Sequence, residues 1–214
     1  VIALTVIASL SGGSDAEPLL ISGSSTFQKR IFEPVQKTLE KRTGVSLETT
    51  GAGSIRGLKD LLKGDAAAAA ISCPLDAAFR ETGVPGEGTF REQVILQDLV
   101  VAIVHPSNKV KSLTAGQLAD IHSGKIANWK DVGGTDSRIL VVIPSANSGT
   151  RAVIRDEILK GEALVEGAYA TVTDREAVDV VAMSPIAIAM LSEGFVKTPG
   201  AKVKTVKTPP IKRP

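Results

Sequence analysis

The 214-residue chain is poor in several things at once, and each shortage narrows its chemistry. It has one cysteine, Cys73, so an intrachain disulfide is impossible. Cys73 ends an apolar run just before Pro74, which is the setting of a buried, inert thiol. Two histidines, His105 and His122, cannot complete a zinc set with that cysteine. No loop carries the alternating Asp pattern of a calcium site, so neither metal nor cofactor is expected. Aromatics make up 3% of the chain, so the core must be built from Val, Ile, Leu and Ala. Such a core suits a parallel sheet covered on both faces. Charge of one sign is also missing: 25 basic against 23 acidic residues leave +2. That balance argues against a nucleic-acid partner, and the basic tail from Lys202 to Pro214 reads as solvated.

The longest apolar run, Val1–Leu10, is too short to span a bilayer, which takes about 20 residues. Ser11-Gly12-Gly13-Ser14 follows it. Two readings stand for this stretch. It fits the apolar core and small-residue exit of a secretory signal. It equally fits a retained strand, which would seek a sheet edge and would allow self-association through Val1–Leu10.

Beyond residue 17 the pattern alternates between strand-like and helix-like stretches. Pro18–Ser22 is a short strand; Phe27, Ile31, Val35 and Leu39 then recur at helical spacing up to Gly44. Pro34 requires a local kink or a regular helix that begins near it. Val45–Thr50 and Ala66–Ser72 are further strands, with a helix through Ile55, Leu58, Leu61 and Leu62 between them. Gln93–Val104 reads as one strand crossing between two lobes. Thr114 and Gln117 have capping-box spacing ahead of a helix closed by Gly124. Ile139–Ile143 is a strand, Val153–Leu159 a helix, Asp174 the cap of a helix through Met183, and Pro185–Met190 a returning strand. Repeated βα units imply mainly parallel sheets with right-handed crossovers. The expected architecture is a two-lobed α/β fold: residues 18–100 with 185–214 in one lobe, 101–184 in the other, and residues 1–17 as apolar segment and linker.

Three turns of small residues stand out, at 23–27, 51–54 and 147–151, each after a strand and before a helix. Ligands in open α/β sheets sit at the carboxyl ends of the strands. The first amides of a helix lack internal partners and carry partial positive charge. Gly leaves the backbone bare, and Ser or Thr adds a hydroxyl donor. Converging turns of this kind suit a small oxyanion. Arg56, Arg151 and Arg155 are the flanking cations, with Arg151 best placed directly after Ser148-Gly149-Thr150.

The order of Gly23–Phe27, Gly51–Ser54, Ser72–Leu75, Leu113–Trp129 and Ser148–Arg151 resembles the phosphate-binding proteins of phosphate ABC transporters. The resemblance runs from about Leu20 to about Thr205. It implies a periplasmic-binding-protein-like fold (type II) whose lobes close by a hinge on a small tetrahedral oxyanion such as inorganic phosphate. It further implies a secreted protein, periplasmic or extracellular, with an ABC permease as partner. Carried over, Thr26 and the Phe27 amide bind from the first helix start and Ser54 from the second. Ser148, Gly149 and Thr150 bind from the other lobe, with Arg151 beside them. Ser72 and Pro144 stand where the family has an Asp and an Arg. Loss of that acid weakens the preference for a protonated anion over an ionised one such as sulfate.

Two other functions remain to be separated from this one. A structural or assembly protein would keep the fold, use the N-terminal segment for subunit contacts and bind no anion. An enzyme is disfavoured because the chain has neither a phosphate-cradling Gly-Lys-Ser/Thr loop nor a Gly-x-Ser-x-Gly elbow.

Overall fold

The computed structural model describes residues 18–83, 90–197, 200 and 202–210, and residues 2–8 as backbone. The expected linker at 9–17 lies outside the described residues. The chain divides into two compact units. The N-terminal unit takes Ile2–Gln97 and Ala146–Ala152; the C-terminal unit takes Asp98–Ser145 and Val153–Pro214.

In the N-terminal unit, β1 (Ile2–Ala8), β2 (Leu19–Gly23), β3 (Leu47–Thr50), β4 (Ala68–Ile71) and β5 (Arg91–Asp98) form one sheet in the order β3-β2-β4-β1-β5. β2 runs parallel to β3 and β4. β1 runs antiparallel to β4, with Thr5 opposite Ile71 and Ala8 opposite Ala68. The apolar N-terminal segment is therefore an interior strand of its own sheet, and self-association through Val1–Leu10 gains no support.

The parallel strands are joined by helices that begin where the glycine-rich turns end. α1 (Ser25–Phe27) passes through a π-helical turn, Gln28–Phe32, into α2 (Glu33–Thr43). Pro34 is the second residue of α2, directly after the π-helical turn, so the regular helix begins beside it. α3 (Ser54–Lys63) and α4 (Leu75–Thr82) follow β3 and β4. Phe27, Phe32 and Ala70 form a buried cluster against Ile21, Ile31, Leu47 and Leu96.

The C-terminal unit contains β6 (Val100–Val104), α5 (Ala115–Ser123), β7 (Leu140–Pro144), β8 (Tyr169–Thr171), α7 (Asp174–Met183), β9 (Ala187–Ser192), α8 (Glu193–Val196) and β10 (Lys204–Val206); α6 (Gly149–Val153) belongs to the N-terminal unit through Ala152. Its sheet runs β10-β6-β9-β7-β8, with β7 parallel to β8 and β9. Ile103, Val142, Val178, Val181, Ala189 and Leu191 are at its core. Trp129 is buried there, and its indole N–H donates to the Ile186 carbonyl at 2.9 Å.

Three sequence expectations change. The stretch Gln93–Val104 is two strands, β5 and β6, belonging to different sheets and separated at Leu99. The segment after 185, expected with the first lobe, supplies β9 and β10 to the C-terminal sheet, because both pair with β6. The cap of α7 is Thr173, whose side chain accepts from the Glu176 amide; Asp174 is the first helical residue. The capping box of α5 is formed as expected, with Thr114 accepting from Gln117 N–H and Gln117 Oε1 accepting from Thr114 N–H.

Candidate functional site

The end of β2 opens the first turn. Ser24 caps α1: its Oγ accepts from the Phe27 amide at 3.3 Å, and its own amide donates to Ala70 O at 2.7 Å. Thr26 and Phe27 are buried at this helix start. The Phe27 amide, expected to serve a ligand, is held by Ser24 in a long, weak bond.

The second turn is anchored to the first and to the third. Gly53 N–H donates to Gly23 O at 2.8 Å. Ile55 N–H, in the first turn of α3, donates to Asn147 O at 3.1 Å. Gly53 adopts φ +94, and a Cβ there would fall 2.5 Å from Asn147 O. Both the backbone conformation and the close approach exclude a side chain. Ser54 is fully buried, and its Oγ accepts from Ser72 N–H at 3.0 Å and lies 3.1 Å from Ser72 Oγ.

The third turn closes on that hydroxyl pair. A Cβ on Gly149 would lie 2.6 Å from Ser54 Oγ and 2.8 Å from Ser72 Oγ. The start of α6 is thus pressed against both serines, which only glycine permits. Thr150 is buried, while Ser148 and Arg151 are half-buried. All eight candidate residues, Thr26, Phe27, Ser54, Ser72, Ser148, Gly149, Thr150 and Arg151, fall in the N-terminal unit. The assignment of Ser148–Thr150 to the other lobe is corrected by the Asn147 and Gly149 contacts, which bind 146–152 to α3 and β4.

Two expected cations are already engaged. Arg56 Nε donates to Asp60 Oδ1 at 2.6 Å, and Arg155 Nε donates to Asp156 Oδ1 at 2.7 Å. The Arg56 guanidinium is held above its ordinary range by the bond to Asp60. Asp60 is the residue that sequence reasoning missed. Its Oδ2 accepts from Ser22 Oγ at 2.7 Å, and Ser22 Oγ lies 3.0 Å from Thr50 Oγ1. With Ser22 donating to Asp60, Thr50 donates to Ser22. This chain, buried at Ser22 and Asp60 and exposed at Thr50, joins the carboxyl ends of β2 and β3 to α3. The Arg56–Asp60 spacing was visible in the sequence, but nothing local pointed Asp60 at Ser22.

The site is therefore rich in backbone amides and hydroxyls, while Arg56 and Arg155 are each paired with a carboxylate. Among the described residues there is no cluster of His, Cys, Asp and Glu that would hold a metal ion. A cavity of ≈ 250 Å³ lies elsewhere, in the C-terminal unit, lined by Ile121, Ile139, Val141 and Val165 with Arg138 and Glu166. Its mostly aliphatic wall lacks the hydroxyls and helix starts that suit an anion.

Two α/β units with mixed sheets, and small-residue turns at the ends of their parallel strands, define a type II periplasmic-binding-protein-like fold. The chain belongs to the PBP superfamily, whose domain model matches residues 8–210. It is similar to the phosphate-binding protein PstS of Bacillus subtilis, at 31% identity over 151 residues, 70% of this chain and 48% of that protein. The chain spans about half the length of the curated relatives it matches. A protein of Clostridium perfringens assigned as a phosphate ABC transporter substrate-binding protein, solved with bound phosphate, matches with a TM-score of 0.74. Its identity is 28%, with 90% of this chain and 76% of that one covered. An ABC-type phosphate transport receptor from Vibrio cholerae matches with a TM-score of 0.64 at 26% identity, over 89% of this chain and 76% of that one. Among the described residues no helix is long and apolar enough to cross a membrane.

Proposed function

We propose that the chain is a secreted solute-binding protein that holds a small tetrahedral oxyanion, phosphate or a close analogue, and presents it to an ABC permease. The observation that carries this reading is the packing of Gly149 on Ser54 and Ser72, with Asn147 bonded to Ile55. These contacts bring three helix-opening turns together, and the named relatives are phosphate-binding proteins. An anion at this point takes hydrogen bonds from amides and hydroxyls, and it displaces the long Ser24 contact as acceptor for Phe27 N–H. Neutral dipoles hold the charge, as the nearby Arg56 is balanced by Asp60.

Donors without a paired general acid and base among the described residues of the site support a protein that binds and releases its guest unchanged. Its place of work is outside the cytoplasm, in the periplasm or the extracellular medium. Thermal unfolding of the full chain with phosphate, sulfate or arsenate tests the reading. A ligand at about 100 times its Kd stabilises the folded state by about 2.7 kcal/mol. A rise in Tm with at least one anion is expected; no rise and no heat of binding with all three rejects the proposal. Steady hydrolysis of an aryl phosphate would reject the non-enzymatic part.

A further inference from the structure

We infer that Ser54 and Ser72 form a reversible donor–acceptor pair that makes the site indifferent to whether its guest carries a proton. A fully ionised dianion of the sulfate class would then be held about as well as phosphate. This inference rests on the oxyanion-binding reading above.

Protons and lone pairs set what the two hydroxyls can offer a guest. Each hydroxyl has one proton and two lone pairs. Ser54 Oγ spends one lone pair on Ser72 N–H, at 3.0 Å. The 3.1 Å bond between the two hydroxyls runs in either direction. If Ser54 donates, Ser72 keeps its proton and one lone pair for a guest. If Ser72 donates, Ser54 keeps its proton and Ser72 keeps both lone pairs. In either arrangement the pair has one proton left to give and at least one lone pair left on Ser72. Rotating two hydroxyls exchanges a donor for an acceptor with no change in charge.

The surroundings keep this choice within the pair. Ser54 is 1% exposed and Ser72 8%. The start of α6 covers them, as the approach of Gly149 shows. The carboxylates on the helices opening at this point are turned to other work. Asp60 accepts from Ser22 and Arg56, and Asp76 accepts from Arg80 at 2.7 Å. A carboxylate only accepts and would repel an ionised oxygen; a hydroxyl accommodates both forms.

Calorimetric titration of the full chain with sodium phosphate and with sodium sulfate, each at about pH 6 and about pH 8 and constant ionic strength, tests this. The inference expects affinities for the two anions within about tenfold at both pH values, where a site built around one hydrogen bond discriminates by about 10⁴-fold. A larger preference for phosphate overturns the inference and leaves the oxyanion reading intact. Binding of sulfate alone overturns it too, because Ser72 then fails to accept. Binding of neither anion removes both. In Ser72→Asp, sulfate affinity should fall at least about a hundredfold while phosphate stays within about tenfold. Equal loss of both in a folded variant refutes the role of Ser72, and if that variant does not fold, the wild-type comparison decides.

Discussion

Replacing Gly149 with alanine sets two effects of opposite sign against each other. Its backbone is not left-handed, so alanine is conformationally acceptable there. A Gly→Ala change at a compatible position stabilises by about 0.4–1 kcal/mol through the unfolded chain. Against this, the new Cβ would sit 2.6 Å from Ser54 Oγ, 2.8 Å from Ser72 Oγ and 3.0 Å from the Ser72 carbonyl carbon. Ordinary carbon contacts begin at about 3.5 Å, so the start of α6 must retreat by up to about 1 Å. One of the obstructing atoms is backbone and cannot swing away, which places the cost in the overpacking range of about 1–3 kcal/mol. The steric term wins. At mid-range, about 2 kcal/mol of overpacking less about 0.7 kcal/mol of chain entropy leaves about 1.3 kcal/mol, so Gly149→Ala should lower Tm by about 3–5 °C at about 2–4 °C per kcal/mol for a chain of this size. Oxyanion affinity should fall at least about tenfold, which is about 1.4 kcal/mol. Gly116→Ala in α5 is the control, because its nearest neighbour is Thr114 Oγ1 at 3.9 Å. There the gain in helix propensity, up to about 1 kcal/mol, should raise Tm. Differential scanning calorimetry reads both. If Gly149→Ala is as stable as wild type or more so, α6 does not press on Ser54 and Ser72, and the convergent site is refuted.

Two further variants probe the supports of the fold. Asp60→Ala removes the charged acceptor of the buried Ser22 hydroxyl, leaving it only Thr50 Oγ1 at 3.0 Å, and should cost about 1–3 kcal/mol in urea unfolding, with weaker anion binding as the ends of β2 and β3 loosen. Unchanged stability and binding would mean that this chain of hydroxyls holds nothing in place. His122 is fully buried; its Nδ1 donates to Leu118 O at 2.8 Å, and Nε2 has no partner. Burial holds its pKa below the ordinary value, opposed by the Leu118 bond, so the folded state prefers the neutral ring. Its contribution is full above the unfolded pKa of about 6.5 and is lost as pH falls below that toward the folded pKa, by at most about 1.4 kcal/mol per pH unit. His122→Phe should flatten that part of the stability curve; an unaltered slope between about pH 6.5 and pH 5 would assign the loss to carboxylates.

The features readable in the sequence were those carried by near neighbours. The capping box at Thr114 and Gln117 needs only three residues of spacing. Pro34 announced where the regular helix begins, and the turns ending at Phe27 and Ser54 announced helix starts. The four-residue recurrence from Phe27 to Leu39 did not mark one buried face: Phe27 and Phe32 are buried while Val35 and Leu39 are exposed, with the π-helical turn at Gln28–Phe32 between the two stretches. Strand order was not legible. An apolar run such as Ile2–Ala8 suits a secretory segment and an interior strand alike, and the run itself does not announce its pairing with β4. The site candidates lie in turns that the sequence shows, but the contacts of Asn147 with Ile55 and of Gly149 with Ser72 join stretches separated by several helices and strands and leave no periodic trace. The same holds for Ser22 and Asp60, 38 residues apart.

The most direct measurement is the backbone ¹H–¹⁵N spectrum of the chain during titration with phosphate. The account predicts that the amides of Phe27, Ser54, Gly149 and Thr150 shift together in one saturable transition. Shifts confined to a single turn, or centred on the cavity beside Arg138 and Glu166, would contradict it.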